Sequence, residues 1–376
     1  MNARERYVET LSFGNPDKIP FRPGGPREST RAAWEKQGLS DGDKWRDYLW
    51  EMLGLEEEDT GPHVPLGVDF RIIPQFEEKV LEHAQGHYIV QDWMGAITEI
   101  SDAFDYTYIR RAKDFVTRKW HRFPVQSRED WNERIKWRYD LDAPGRFPED
   151  FDERCEALNQ RDYPLTVHFN GPFWQVREWV GMENLCVLMA TEPDFAMEMC
   201  NFWGDFVYQM LERILPKVEV DNLHWSEDMA YKAHSMISPT MVRKFLVPQY
   251  ERWIDIGKQN GVELFDIDSD GNIEVLIPIW VDVGVNVCDP IEVAAGNDII
   301  EYRNRFGTEM AYVGGIDKRA IAAGGDVMRA EVMRVVPPLL EEGGFIPSCD
   351  HGVPPDISWP NFVEYSRLLA ELTGWL

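Results

Sequence analysis

Aspartates stand at alternate positions 266, 268 and 270 in the stretch VELFDIDSDG, and a single late histidine, His351, lies between Asp350 and Gly352. Alternate residues of a strand face one side, so carboxylates spaced by two are held together and repel unless a cation or shared protons compensate. Such a group can protonate a leaving atom, hold a divalent metal or position a cationic substrate. An imidazole beside it either donates a proton near neutral pH or ligates the metal. DIDSDGN also matches the first half of a calcium loop, but the glutamate that closes such a loop is missing at the required spacing.

These side chains need strands to aim them. From about residue 163, short apolar runs rich in β-branched residues alternate with helical patterns that begin at recognisable caps. Six strand-then-helix units follow. LTVHFNG, ending at Gly171, precedes helical stretches through Leu215, and DNLHWSED precedes a helix capped by Ser238 and opened by Pro239. VELFDIDSDG precedes a helix near 273–283, and GVNVCDP one near 298–306. AYVGGID leads into 318–341, and GGFIPSCDHG into the closing helix.

Repeated βα units build parallel sheets. Neither GxGxxG nor a P-loop pattern follows any of the strands, so the expectation is one closed (β/α)8 TIM barrel rather than an open nucleotide-binding sheet. The chain reads as a single α/β domain over 1–376, with an irregular N-terminal elaboration over 1–160 and regular units over 160–376. Within the elaboration, 3–12 and 44–53 read as short helices and 67–78 and 86–100 as strands joined by an acidic turn. The stretch 138–155 reads as a loop and a short helix.

A barrel of this kind keeps its chemistry where strands end on the C-terminal face. In order, those ends carry His168 and Asn170, then Glu227 and Asp228, then the aspartates 266, 268 and 270, then Asp289, Asp317, and finally Cys349, Asp350 and His351. Asp and Asn at βα turns also serve as helix caps, a histidine can be a packed loop residue, and Cys349 can be a small buried apolar group.

Composition narrows the function. The charge sum of 39 basic against 66 acidic residues is −27, which repels phosphate backbones and anionic lipid headgroups, so neither nucleic acid nor a membrane is an expected partner. The five cysteines form no CxxC pair, which points away from a disulfide framework or a zinc ribbon and toward a reducing cytoplasm. The first residues lack an apolar signal core, and no run approaches the ~18 apolar residues of a membrane span.

The pieces FNGPFWQVREWVG, the Glu227–Asp228 pair, DSDGN, GGIDKRA and DHGVPPD together resemble the uroporphyrinogen decarboxylase superfamily, over about residues 160–376. Its members are single (β/α)8 barrels and include a haem-pathway decarboxylase and cobalamin-linked methyltransferases. In the decarboxylase, an arginine-rich N-terminal motif, an aspartate, a tyrosine and a histidine in a C-terminal HG pair hold the porphyrinogen. His351 with Gly352 matches that pair, Trp179 stands at the tyrosine position, and Arg22 and Arg27 approximate the arginine motif with altered spacing. In the methyltransferases a His-x-Cys motif and a distant Cys bind zinc and activate a thiol. The matching positions are Asp268, Asp270 and His351 with Cys349 nearby, a set suited to a harder ligand than a thiol.

The resemblance thus implies a corrinoid-dependent methyltransferase component. It would move a methyl group between a small methoxylated or methylated donor and cobalamin carried by a partner protein, with zinc or another divalent metal as a second cofactor. His351, Asp270 and Glu227 would be catalytic, and His168, Asn170, Trp179, Asp228, Asp317, Arg22 and Arg27 would bind substrate. The alternatives are a decarboxylase of a porphyrinogen-like substrate and a non-catalytic corrinoid- or tetrapyrrole-binding barrel.

Overall fold

A computed structural model of the chain describes residues 1–56, 63–107 and 117–376. Its strands fall into two sheets. The first is antiparallel, in the order β1 (Lys79–Ala84), β2 (His87–Gln91), β3 (Ile97–Ser101) and β4 (Arg118–Arg122). The second is parallel and holds β5 (Thr166–Asn170), β6 (Asn222–Ser226), β7 (Leu264–Asp268), β8 (Val287–Asp289), β9 (Ala311–Ile316) and β10 (Phe345–Cys349), each paired with its neighbour in sequence.

All six expected strand-then-helix units are therefore present, in sequential order, in one α/β sheet. The caps behave as their residue types dictate: Ser238 accepts from the Met241 amide, Asp298 from Ile300, Asp317 from Arg319 and Ser358 from Asn361. The helix expected near 273 begins only at Ile277, and 318–341 is broken at Gly324 into Lys318–Ala323 and Gly325–Glu342. No described helix is long and apolar enough to cross a membrane.

The N-terminal elaboration departs further from expectation. The helices Ala3–Leu11 and Trp45–Leu53 form as read, and 86–100 forms the β2–β3 hairpin, but 67–78 contains no strand. A buried arginine holds that stretch instead. The Arg146 guanidinium donates to the carbonyls of Asp69, Arg71, Arg138 and Asp140, while the amides of Asp69 and Ile73 go to Arg146 and Arg138. These loops satisfy one another without a ladder.

Inward and outward faces of the parallel sheet differ in kind. Outward, Val167, Phe169, Leu223, Trp225, Phe265, Ile267 and Cys288 join the main apolar core with the surrounding helices. Inward, the strands begin apolar: Leu264, Val287, Ala311, Val313 and Ile346 pack on Tyr7 and Leu11 of the first helix, which closes the N-terminal end. Higher up the inward positions become polar: Asn222, His224 and Ser226 on β6, and Asp266 and Asp268 on β7. The faces of a parallel sheet are normally apolar, so this polar file marks out the C-terminal half of the sheet.

Candidate active site

A cavity of about 390 Å³ opens at the C-terminal ends of the parallel strands. Asp228, Asp268, Asp270, Asp289 and His351 line it, with Trp174, Cys349 and the backbone of Gly24 and Gly25. Asp268 and Asp270 therefore share one cavity with the late histidine, which is 81 residues from Asp270 in sequence, whereas Asp266 is not among the lining residues.

His351 is held from both ring nitrogens. Nε2 lies 3.1 Å from Asp270 Oδ2, and Nδ1 receives the Gly352 amide at 2.6 Å and faces Arg27 Nη2 at 3.2 Å. With donors at Nδ1, the ring proton belongs on Nε2, pointing at Asp270. The hydrogen bond to Asp270 raises the imidazole pKa, against burial and the charges of Lys318 and Arg27. Asp228 sits at φ 41°, a left-handed conformation, and both its carboxylate and carbonyl accept from Arg177. Arg177 in turn lies over the Trp174 ring, 4.3 Å from its centroid.

Beneath this rim the inward polar residues form a connected network. His168 Nε2 is 3.0 Å from Ser226 Oγ, which donates at 3.0 Å to Asp268 Oδ2. His224 Nδ1 is 2.8 Å from Asp266 Oδ2, and Asn222 Nδ2 reaches both that oxygen and Tyr7 Oη. Burial would lower His224, but the charge and hydrogen bond of Asp266, with Asp289 and Asp268 behind, push it up to about 9. Its neighbour His168, with rings 4.8 Å apart, is pushed down to about 4 by burial and then by the His224 charge. One imidazolium thus sits among three carboxyls. Burial lifts Asp268 to about 6 and raises Asp289 well above the carboxylate range.

The remaining expected residues are placed elsewhere. His168 and Asn170 line a second cavity of about 450 Å³ with Phe70, Arg71 and Trp203, and the Ser226 hydroxyl links His168 there to Asp268 of the first. Glu227 lines neither cavity. It is buried behind the sheet, accepting from the Trp174 amide and the Tyr250 hydroxyl, and burial raises it to about 7. Trp179 is also a core residue, 4.7 Å from the Trp131 ring and donating to Tyr139 Oη, so it cannot take the part of a substrate-binding tyrosine. Asp317 caps a helix and forks onto Arg319, and Asp350, fully buried, joins the Val293 and Lys318 amides. Arg22 lies over the Tyr7 ring at 4.9 Å rather than in the cavity lining. Arg27 is not among the lining residues and faces His351 Nδ1 beside Gly352.

Two features escaped the sequence reading. Gly24 has φ 119°, and a Cβ there would sit 3.0 Å from Cys349 Cβ and Val353 Cγ2, so the glycine is what lets this loop approach β10. Its visible signal was the Gly-Gly pair in FRPGGPREST. The other is His224, whose signal was the alternation Asn222, His224, Ser226 on a strand that should face a packed interior.

The donors at the rim do not fit a thiol-activating zinc centre. Burial pushes the Cys349 thiol up to about 12, so the thiolate such a centre needs is disfavoured, and the other rim donors are carboxylates and one imidazole. Among the described residues, the His, Cys, Asp and Glu side chains that bring three donor atoms within 4.8 Å of one another are His224, Asp266 and Asp289.

Comparison with known proteins adds the lineage. The model of the family Uroporphyrinogen decarboxylase (URO-D) matches residues 152–367. The chain belongs to that family. The matched span of this URO-D chain takes in the whole parallel sheet and every aspartate of the cavity. A methyltransferase from Methanosarcina mazei is similar in structure, with a TM-score of 0.55 and 13% identity over 100% of this chain and 98% of that one. A B12-independent methionine synthase from a Shewanella species aligns over 60% of this chain and 65% of its own, at 10% identity and a TM-score of 0.40. No curated protein matches in sequence.

Proposed function

We propose that this URO-D family member is a methyltransferase component, transferring a methyl group from a small methylated or methoxylated donor to the cobalamin of a partner protein. The observation that carries this reading is the cavity wall: four aspartates, one histidine and a tryptophan, with no lysine or arginine among the described lining residues. A porphyrinogen bears many carboxylates. At about 5 Å and an effective dielectric near 20, each pairing of a substrate carboxylate with an ionised aspartate costs about 3 kcal/mol. Arg27 and Arg177, beside the lining, are engaged with His351 and Asp228. Decarboxylation of a polycarboxylate is disfavoured on these grounds, and an uncharged or cationic donor is favoured, with Trp174 as its aromatic wall. The full-length structural likeness to the Methanosarcina mazei methyltransferase agrees with this choice.

When bound, the corrinoid of a partner protein would supply a Co(I) nucleophile for the methyl carbon. The residues of this chain hold the donor so that its methyl group faces outward and its heteroatom faces His351 and Asp270. As the bond from carbon to heteroatom breaks, the electron pair stays on the heteroatom. His351, with its Nε2 proton aimed at Asp270, stands where it can deliver a proton to that atom. We further read the six strands as the regular arc of a (β/α)8 barrel. The two other positions would be filled by residues 23–26, bridged in parallel at Pro26–Val353, and by the stretch around Phe70, whose ring lies tilted 5.5 Å from that of Phe169.

Incubating the protein with Co(I) cobalamin and a panel of methyl ethers and methylated amines tests the assignment. Growth of the methylcobalamin spectrum with at least one donor is expected. A flat spectrum with every donor, together with carbon dioxide release from a carboxylated porphyrinogen, would replace it with the decarboxylase.

A further inference from the structure

His224, Asp266 and Asp289 come from three adjacent strands and meet beneath the cavity. His224 and Asp266 are partners in the β6–β7 register, and Asp289 pairs with Asp268 one step higher on β8. Their donor atoms lie within 4.8 Å of one another. Two buried oxygens at this point have no hydrogen-bond partner: Oδ1 of Asp266, a residue 3% exposed, and Oδ1 of Asn222, 1% exposed. An orphaned carboxylate oxygen in such a place costs free energy that nothing in the chain returns.

We propose that His224, Asp266 and Asp289 bind a divalent transition-metal ion at the floor of the cavity, with at least one coordination position open to substrate. The donor set is one imidazole nitrogen and two carboxylate oxygens, which suits Zn2+, Co2+ or Mn2+ and not a thiophilic ion such as Cu(I). Metal–ligand bonds of about 2.0–2.2 Å place tetrahedral donors roughly 3.4 Å apart, so the three side chains need to close by little more than about 1 Å. The strands that carry them are hydrogen-bonded side by side, which limits the adjustment to side-chain rotation.

Charge agrees with the geometry. Arg22 is a cationic neighbour whose field acts on Asp289. A divalent ion with a neutral imidazole and Arg22 would balance three carboxylates. Three protein ligands plus an open position is also the pattern of catalytic rather than structural sites. Asp289 is itself part of the cavity wall, so the open position faces the space assigned to substrate. Asn222 supports the site from below, bridging Asp266 to Tyr7 and fixing the carboxylate. This inference concerns metal uptake alone and stands apart from the methyl-transfer reading.

The test uses the full-length protein, stripped with a chelator and titrated with Co2+ or Zn2+ alone. Expected are one equivalent bound, a visible ligand-field spectrum with Co2+, and a rise in Tm on loading. Asp266→Asn and His224→Gln should each weaken uptake at least ~100-fold, whereas Asp270→Asn at the rim should leave it within about threefold. Circular dichroism of the apo variants identifies any that misfold, and the near-isosteric His224→Gln keeps the comparison decisive if Asp266→Asn does. No uptake by the wild-type protein, or uptake abolished by Asp270→Asn and retained in His224→Gln, would overturn the site.

Discussion

The carboxyl group of Glu227 occupies the space in which a side chain at Gly171 would begin: a Cβ there would lie 2.1 Å from Glu227 Cδ. Gly171 has φ −71°, so the backbone itself tolerates any residue and only the contact demands glycine. Glu227 cannot retreat, being fully buried and tied to the Trp174 amide and the Tyr250 hydroxyl. Gly171→Ala should therefore destabilise the fold by about 1–3 kcal/mol, read as a lower urea midpoint at unchanged m.

Glu227 also makes stability depend on pH. Burial raises its folded pKa to about 7 from an ordinary 4.5, so the folded state holds a proton that the unfolded chain releases. The contribution is complete below about pH 4.5, declines as pH rises to about 7, and is flat above that. It amounts to something on the order of 3 kcal/mol. Asp92, Asp268 and Asp350, each raised to about 6, act in the same direction. Glu227→Gln keeps an acceptor for Trp174 and removes the ionisation. Urea titrations from pH 4 to 8 should show a shallower decline than in the wild type, and equal slopes would contradict the assignment.

If His351 delivers the proton and Asp270 orients it, His351→Ala and Asp270→Ala should each slow methyl transfer at least ~100-fold with an unchanged far-ultraviolet spectrum. Near-normal rates in both variants would refute their role.

Asp221 is a joint rather than a site. It is buried, accepts from Arg4 at 2.7 Å, from the buried Arg161 at 2.6 Å and from the Leu165 amide at 2.7 Å. Asp221→Ala strands the Arg161 guanidinium without a counter-charge and should cost about 3–5 kcal/mol in denaturant unfolding.

Trp179 offers a contrast between packing and binding. Trp179→Phe loses one hydrogen bond to Tyr139 and part of a ring cluster, a stability cost of about 1–3 kcal/mol. KM for the methyl donor should stay within about twofold, because no part of the side chain reaches either cavity.

Legibility in the sequence followed the source of each constraint. The six parallel strands were readable because each is a short apolar run closed by a cap whose residue type acts locally, as Ser238 and Ser358 do. The gathering of Asp268, Asp270 and His351 was readable because a repeated βα unit places all strand ends on one face. What escaped depended on distant partners. The stretch 67–78 has strand-like residues, yet its backbone is claimed by Arg146, almost eighty residues away from Asp69. Glu227 sits at a strand end like Asp228, but the chain turns there through a left-handed residue, so the two neighbours face opposite ways. Trp179 follows the same rule: its helix was legible, and the side of the helix that meets Trp131 was not.

The stretch around residues 18–34 is fastened to the end of the chain at several points. Ile19 bonds to Thr373, Trp375 to Ile19, Cys349 to Pro23, Arg27 to Val353, and Trp34 to Ile357. Gly24 and Gly25, which wall the cavity, belong to this seam. The wall that these glycines supply is therefore built only when two segments more than 300 residues apart have docked, so loosening the seam at either side should open the pocket before the parallel sheet itself melts.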